Sequence, residues 1–315
     1  MRLLAATLAA LLCGCSTVRD LIDRDPARVA REAERRASEM MVAPKPNVND
    51  LLTQGDRLRD GGDVSQAAWT YLKAMRLDPT RSAAGERIAF LHLAKGDIER
   101  AESMFDSVLK TAPESAPAMT GRGLAQLRAG NLADARASLQ RAMELDPESE
   151  IALLALGLVC DWTGQAEEAR RHYTRALELD PVSIEAENNL GVSYLLSGDS
   201  AQAEPHLRRA VQLDPKDGAH HNNLALALCD LGRFDEALAA FRTAGGEAVA
   251  QNNLGYVHHR RGDYAAAIRH YELALAATPA DSLPIIRNLR RAQDDLDRSL
   301  APAPASVPAP STTAP

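Results

Sequence analysis

Small and apolar residues recur along the middle of this chain with a period far longer than one helical turn. Ala67, Ala101, Ala135, Ala169 and Ala203 stand 34 residues apart, and Tyr71, Phe105, Leu139, Tyr173 and Leu207 keep the same phase. Each alanine and the larger residue four positions later share one face of a helix. Breaking positions recur in the same register: Gly62, Gly96, Gly130, Gly164 and Gly198, then Pro79, Pro113, Pro147, Pro181 and Pro215, the prolines mostly within Leu-Asp-Pro. Four residue classes in phase predict a repeated unit of helix, turn, helix and stop, and so an all-α chain.

Each class has a mechanical reason. Gly55, Gly123, Gly157, Gly191 and Gly255, with Ala89 and Ala225 in two other units, fall midway along the first helix. A second helix crossing there leaves no room for a large side chain. The Gly62 series ends the first helix in the left-handed conformation, and Asp63, Asp97, Asn131, Asp199 and Asp263 follow as polar caps. Proline stops the second helix, since it lacks an N–H and disfavours helix in its predecessor. On these features residues 48–281 resemble tetratricopeptide repeats (TPR), which implies a superhelix, an α-solenoid of about seven helix-turn-helix repeats. The sixth is short. Asn188-Asn189-Leu190-Gly191 and Asn222-Asn223-Leu224-Ala225 are 34 apart, but Asn252-Asn253-Leu254-Gly255 follows after 30, with residues missing around Ala244-Gly245-Gly246-Glu247. A change in stacking is expected at that point. Pro279 closes the seventh repeat, and Ile285, Ile286, Leu289, Gln293, Leu296 and Leu300 predict an amphipathic capping helix over 282–300.

Composition narrows the picture. Aromatic residues make up only 4% of a chain that is 45% apolar, as suits closely approaching helices packed through Ala and Leu. A net charge of −7 offers no excess of Lys and Arg to neutralise phosphates, so nucleic acid is not an expected partner.

The ends carry different signals. Residues 1–14 read as an export signal, Arg2 followed by an apolar run from Leu3 to Cys13, too short for the ~20 residues of a membrane span. Leu12-Cys13-Gly14-Cys15 resembles a bacterial lipobox. That resemblance implies cleavage before Cys15, its lipidation with diacylglycerol and palmitate, and a membrane anchor made of acyl chains. Ser16, where an inner-membrane retention signal would show Asp, favours the periplasmic face of the outer membrane by resemblance to Gram-negative lipoproteins. Residues 15–47 read as the lipidated cysteine and a charged linker, and the Pro/Ala-rich 301–315 as a disordered or polyproline-like tail.

Catalytic motifs are missing from the sequence: it has no Ser-His-Asp framework, phosphate-binding glycine loop or His-Glu-x-x-His spacing. The expectation is a protein without enzymatic activity, cofactor or metal. Cys160 and Cys229 lie two repeats apart, beyond disulfide reach, and read as small packing residues. His220-His221 and His258-His259 are the candidate metal ligands, but adjacent helical residues point about 100° apart.

Binding is the stronger reading. By resemblance to peptide-binding TPR arrays, the concave stripe takes in Leu158, Trp162, Asn188, Val192, Asn222, Leu226, Asn252 and Tyr256, with Asn189, Asn223 and Asn253 beside it. An amide both donates and accepts, so an asparagine ladder can hold an extended protein or peptide segment while the apolar residues select it. The same asparagines can instead bond neighbouring helices. The stretch from Asn188 to Asp199, with Asn222–Leu228 and Gln251–Val257, resembles the tetratricopeptide lipoproteins of tight-adherence (Flp) pilus assembly, the TadD group. That resemblance implies an accessory protein that helps the pilus secretin localise or assemble. The alternatives are a pilotin of another pilus or secretion system, a general envelope scaffold for cell-wall enzymes and, from a different class, a histidine-metal hydrolase.

Overall fold

The structure, a computed structural model, describes residues 47–278 and 282–300. The expectations for Cys15, the linker, Pro279 and the tail fall outside them. The described residues form fourteen helical elements and no strand, in two compact units divided in the chain between Asp78 and Pro79. In the first unit, α1 (Val48–Asp60) and α2 (Val64–Leu77) make repeat 1. The second holds repeats 2 to 5 as α3 (Ser82–Ala94) and α4 (Ile98–Thr111), α5 (Ala116–Arg128) and α6 (Leu132–Leu145), α7 (Glu150–Trp162) and α8 (Ala166–Leu179), and α9 (Ile184–Leu196) and α10 (Ser200–Leu213). Then come α11 (Gly218–Asp230), α12 (Phe234–Arg260), α13 (Tyr264–Ala276) and α14 (Leu283–Leu300). The fold is the all-α tetratricopeptide solenoid expected from the repeat register. No helix among the described residues is long and apolar enough to cross a membrane.

The crossing positions behave as the sequence requires. A Cβ added at Gly157 would stand 2.2 Å from Tyr173 Cε1, one at Gly55 would stand 2.3 Å from Tyr71 Cε1, and one at Gly191 would stand 2.6 Å from Leu207 Cγ. Ala89 and Ala225 are fully buried at the equivalent places. The turn glycines all have φ between 75° and 83°, Gly232 and Gly262 as well as the five of the Gly62 series. Asp63, Asp199 and Asp263 cap the following helix by accepting from Gln66, Gln202 and Ala266 N–H. Asp97 and Asn131 do not: both occupy the N-cap position without a side-chain cap bond. The Asp97 carboxylate turns to Arg100 and His92 instead, at 3.3 and 3.5 Å. The first helices gain caps the period did not single out, with Ser115, Ser149 and Ser183 accepting from the third residue on.

At the shortened repeat the missing Leu-Asp-Pro stop lets helix run on. α12 continues from Phe234 to Arg260, broken only at Gly246, whose φ of 79° and ψ of −179° lie in a region essentially closed to other residues. Its first arm (234–245) completes repeat 6 and its second (247–260) opens repeat 7. The end of the first arm lies tight on α11, since a Cβ at Gly218 would meet the Ala244 carbonyl oxygen at 2.6 Å.

The capping helix buries Ile285 and Ala292 against Ala267, Tyr271 and Ala274, with Leu289 packed beside them. Gln293 and Leu300, expected on this face, are exposed. Gln293 stands about 100° off the stripe that Ala292 occupies. Leu300 extends past its partner, because the Asn252–Asn288 and His259–Asp295 bonds pair α12 with α14 at an offset of 36 residues and α12 ends at Arg260.

Candidate functional site

The asparagine pairs are held in place by one another. Asn223 Nδ2 donates to Asn188 Oδ1 at 2.9 Å, Asn253 Nδ2 to Asn222 Oδ1 at 3.2 Å, and Asn288 Nδ2, on the cap, to Asn252 Oδ1 at 3.0 Å. In the first two the second asparagine of one repeat donates back to the first asparagine of the repeat before it, and in the third the cap's lone asparagine takes the donor's place. The rungs therefore run α9 to α11, α11 to α12 and α12 to α14, with His220 Nδ1 also 3.2 Å from Asn188 Oδ1 and Asn188 Nδ2 3.4 Å from Asn189 Oδ1. Sequence reading found the residues but not the cap's Asn288, whose single asparagine carries no repeat signature.

This bonding leaves defined capacity. Asn189, Asn222 and Asn252 keep amide donors, and Asn223, Asn253 and Asn288 keep carbonyl oxygens. All six are partly exposed, and Tyr271 OH is the one buried polar side-chain atom without a partner among the described residues. The free groups thus face solvent, with a donor and an acceptor at neighbouring positions on α11 and again on α12, on amides already held by hydrogen bonds. Ordering side chains at the interface is one cost of holding an extended segment, and a preset surface lowers it.

The apolar members of the stripe divide. Trp162, Tyr256 and Leu226 are 59%, 50% and 38% exposed. Leu158 and Val192 are half-buried and pack into core clusters, so they present an edge rather than a face. Arg128, on the same helix side, spends one guanidinium N–H on the Leu93 carbonyl.

The titratable groups are mostly committed to structure. Asp161 joins repeats 4 and 5, accepting from Ser193 Oγ at 2.7 Å and Tyr173 OH at 3.0 Å. Burial nonetheless holds its carboxyl above the ordinary aspartate range. Burial also pushes the Cys160 and Cys229 thiols up, to about 11 and about 12, so neither is a thiolate at neutral pH, as their packing role requires. Cys160, Glu168 and His172 bring ligand atoms within 4.8 Å of one another, a grouping the sequence did not reveal. The Arg136 guanidinium already lies among them, 3.1 Å from Cys160 Sγ and 3.4 Å from Glu168, and supplies the positive charge. The histidine pairs separate as expected for neighbours on a helix. His221 Nε2 meets the Pro215 carbonyl oxygen at 3.0 Å, His259 Nε2 meets Asp295 at 2.7 Å, and His258 stacks on His270. His220 lies near Asp214 and Asp217 on the loop before α11.

Comparison with known proteins agrees on the architecture. A family profile described as the Cilia and flagella-associated protein 70 C-terminal domain matches residues 4–253, and the tetratricopeptide repeat profile matches residues 248–281. No curated protein matches the chain. A tetratricopeptide repeat protein from Parabacteroides merdae ATCC 43184 is 17% identical with a TM-score of 0.54, over 78% of this chain and 98% of its own. PilW, described as a widely conserved type IV pilus biogenesis factor, is 21% identical with a TM-score of 0.57, over 62% and 92%. pilF of Pseudomonas aeruginosa is 18% identical with a TM-score of 0.54, over 68% and 97%. At these identities the likeness is one of fold.

Proposed function

We propose, for a chain that belongs to the family of the Cilia and flagella-associated protein 70 C-terminal domain and carries tetratricopeptide repeats, that it is a non-catalytic scaffold holding an extended segment of a partner protein. The segment lies along the asparagine-lined face of repeats 5 to 7. The observation that carries this reading is the ladder from Asn188 to Asn288, with its fixed, solvent-facing donors and acceptors. First helices of successive repeats stand ~8–10 Å apart, close to the ~9.3 Å advance of three residues in an extended polyproline-type strand. Successive rungs would then meet every third residue of a bound segment. Main-chain groups supply the hydrogen bonds, and Trp162, Leu226 and Tyr256 supply apolar contact.

The finer reading is an envelope protein anchored by acylated Cys15 at the periplasmic face of the outer membrane, assisting secretin assembly of a tight-adherence pilus as in the TadD group. Its supports are the lipobox-like Leu12-Cys13-Gly14-Cys15 and the shared fold of PilW and pilF, both named for pili. Labelled palmitate should enter the wild-type chain and not C15S, and secretin multimers should be reduced in a deletion strain. Multimers that assemble normally without the protein would sink the pilus assignment, and an unlabelled wild type would sink the anchor.

A further inference from the structure

Three repeats carry a tyrosine on the second helix beneath the crossing glycine, and only one of these hydroxyls lacks a partner. In repeat 1, Tyr71 OH donates to Asp56, the residue after Gly55, at 2.8 Å. In repeat 4, Tyr173 OH donates to Asp161, four residues after Gly157, at 3.0 Å. In repeat 7, Tyr271 is fully buried and lies against Gly255 in the same way, a Cβ there falling 2.9 Å from its Cδ1 and Cε1. The equivalent positions hold Tyr256 and His259, and His259 is engaged with Asp295 on the cap. Tyr271 OH is left buried without an acceptor, at a cost of ~1–3 kcal/mol.

What repeat 7 lacks is the carboxylate that repeats 1 and 4 carry within the chain. The surroundings suit an incoming one. The 36-residue offset that pairs Asn252 with Asn288 sets Tyr256 at the level of Ala292, the residue after Arg291. Arg291 is exposed, Tyr256 half-exposed, and the place lies one helical turn past the last rung of the ladder. Burial and Tyr256 raise the Tyr271 phenol to about 12, while the positive charge of Arg291 pulls the other way. Ala292 packs in the same core cluster as Tyr271, so its neighbour Arg291 stands at the edge of that cluster.

We infer that Tyr271 OH and Arg291 form a carboxylate-recognition site: an aspartate or glutamate side chain of the bound segment takes the place that Asp56 and Asp161 fill in repeats 1 and 4. The inference rests on the scaffold reading above and adds the chemistry and position of one anchoring side chain. Tyr256 and Arg291, both on the surface, move aside to admit the carboxylate, a side-chain rotation of the nanosecond range.

Two arms test it on the full chain. In the first, the probes are acetyl-(Ala)3-Asp-(Ala)3-amide and its Asn twin. Wild type should bind the Asp peptide about tenfold more tightly, the size of one charge-assisted hydrogen bond, and Y271F or R291Q should bring the ratio to one. Y271F gives up no existing bond, so it keeps the fold. In the second, Y256D rebuilds the repeat 1 arrangement from within. It should melt about 2–4 °C above Y256N, and the gap should close in the Y271F background. Equal binding of the twins by wild type overturns the inference and leaves the scaffold reading standing. If neither twin binds while Y256D still gains over Y256N, the site stands and the scaffold reading fails. No gain of Y256D over Y256N in either background overturns the site.

Discussion

Gly157→Ala sets two effects of opposite sign against each other. Helix propensity alone favours alanine in the interior of α7 by ~1 kcal/mol. The structure says otherwise: the new Cβ would stand 2.2 Å from Tyr173 Cε1 and 2.5 Å from Cζ, and Tyr173 is wholly buried. The ring has to shift by roughly an ångström to restore van der Waals distance, or α7 and α8 have to part, and forced repacking of a tight core costs ~1–3 kcal/mol. A shift also strains the 3.0 Å bond from Tyr173 OH to Asp161 and, through it, the link to Ser193 in repeat 5. Losing that bond adds ~1 kcal/mol. The net expectation is destabilisation by ~1–3 kcal/mol, a fall in melting temperature of ~2–9 °C for a chain of this size. Thermal and urea unfolding followed by circular dichroism measure it. A G157A protein as stable as wild type or more so would refute the crossing geometry, because propensity would then be the only effect acting.

Two further substitutions probe other parts of the account. Gly246→Ala meets no neighbouring atom but must adopt φ 79° and ψ −179°, so it should cost ~1–3 kcal/mol in unfolding experiments purely from backbone strain; a neutral result would mean the joint between repeats 6 and 7 is not fixed in this conformation. Asp161 has a carboxyl pKa raised by burial, so the folded state holds its proton more tightly than the unfolded chain does. Its contribution is present below the unfolded value of 3.8 and is lost as pH rises through the folded value. The stability difference between wild type and D161N, from urea unfolding at pH 7 and pH 4, should therefore move in favour of wild type on acidification; movement the other way contradicts the buried setting.

The repeat was readable because its positions are fixed by contacts local to one helix pair. Gly157 answers to Tyr173 only 16 residues away, and Gly164 to its own turn, so the first leaves glycine or alanine and the second glycine at the same phase in every unit. What was not readable depends on how one repeat meets the next. The asparagines stood out as pairs, yet which amide donates to which, over 31 to 36 residues, follows from the stacking of α9, α11, α12 and α14. Ala292 replaced Gln293 on the cap's inner face for the same reason. The Asp97 cap failed because the Arg100 guanidinium and the His92 ring compete for its carboxylate. The missing acceptor of Tyr271 shows only when three repeats are laid side by side in space.

The scaffold account turns on the free amide groups of the ladder. Peptides selected from a random library on the full chain should lose at least tenfold in affinity, by calorimetry, when Asn189, Asn223 and Asn253 are all changed to Ala. The triple variant should keep its helical content, because all three side chains are partly exposed. Unchanged affinity in a folded triple variant would show that the asparagines only hold the repeats to each other, and would contradict the account.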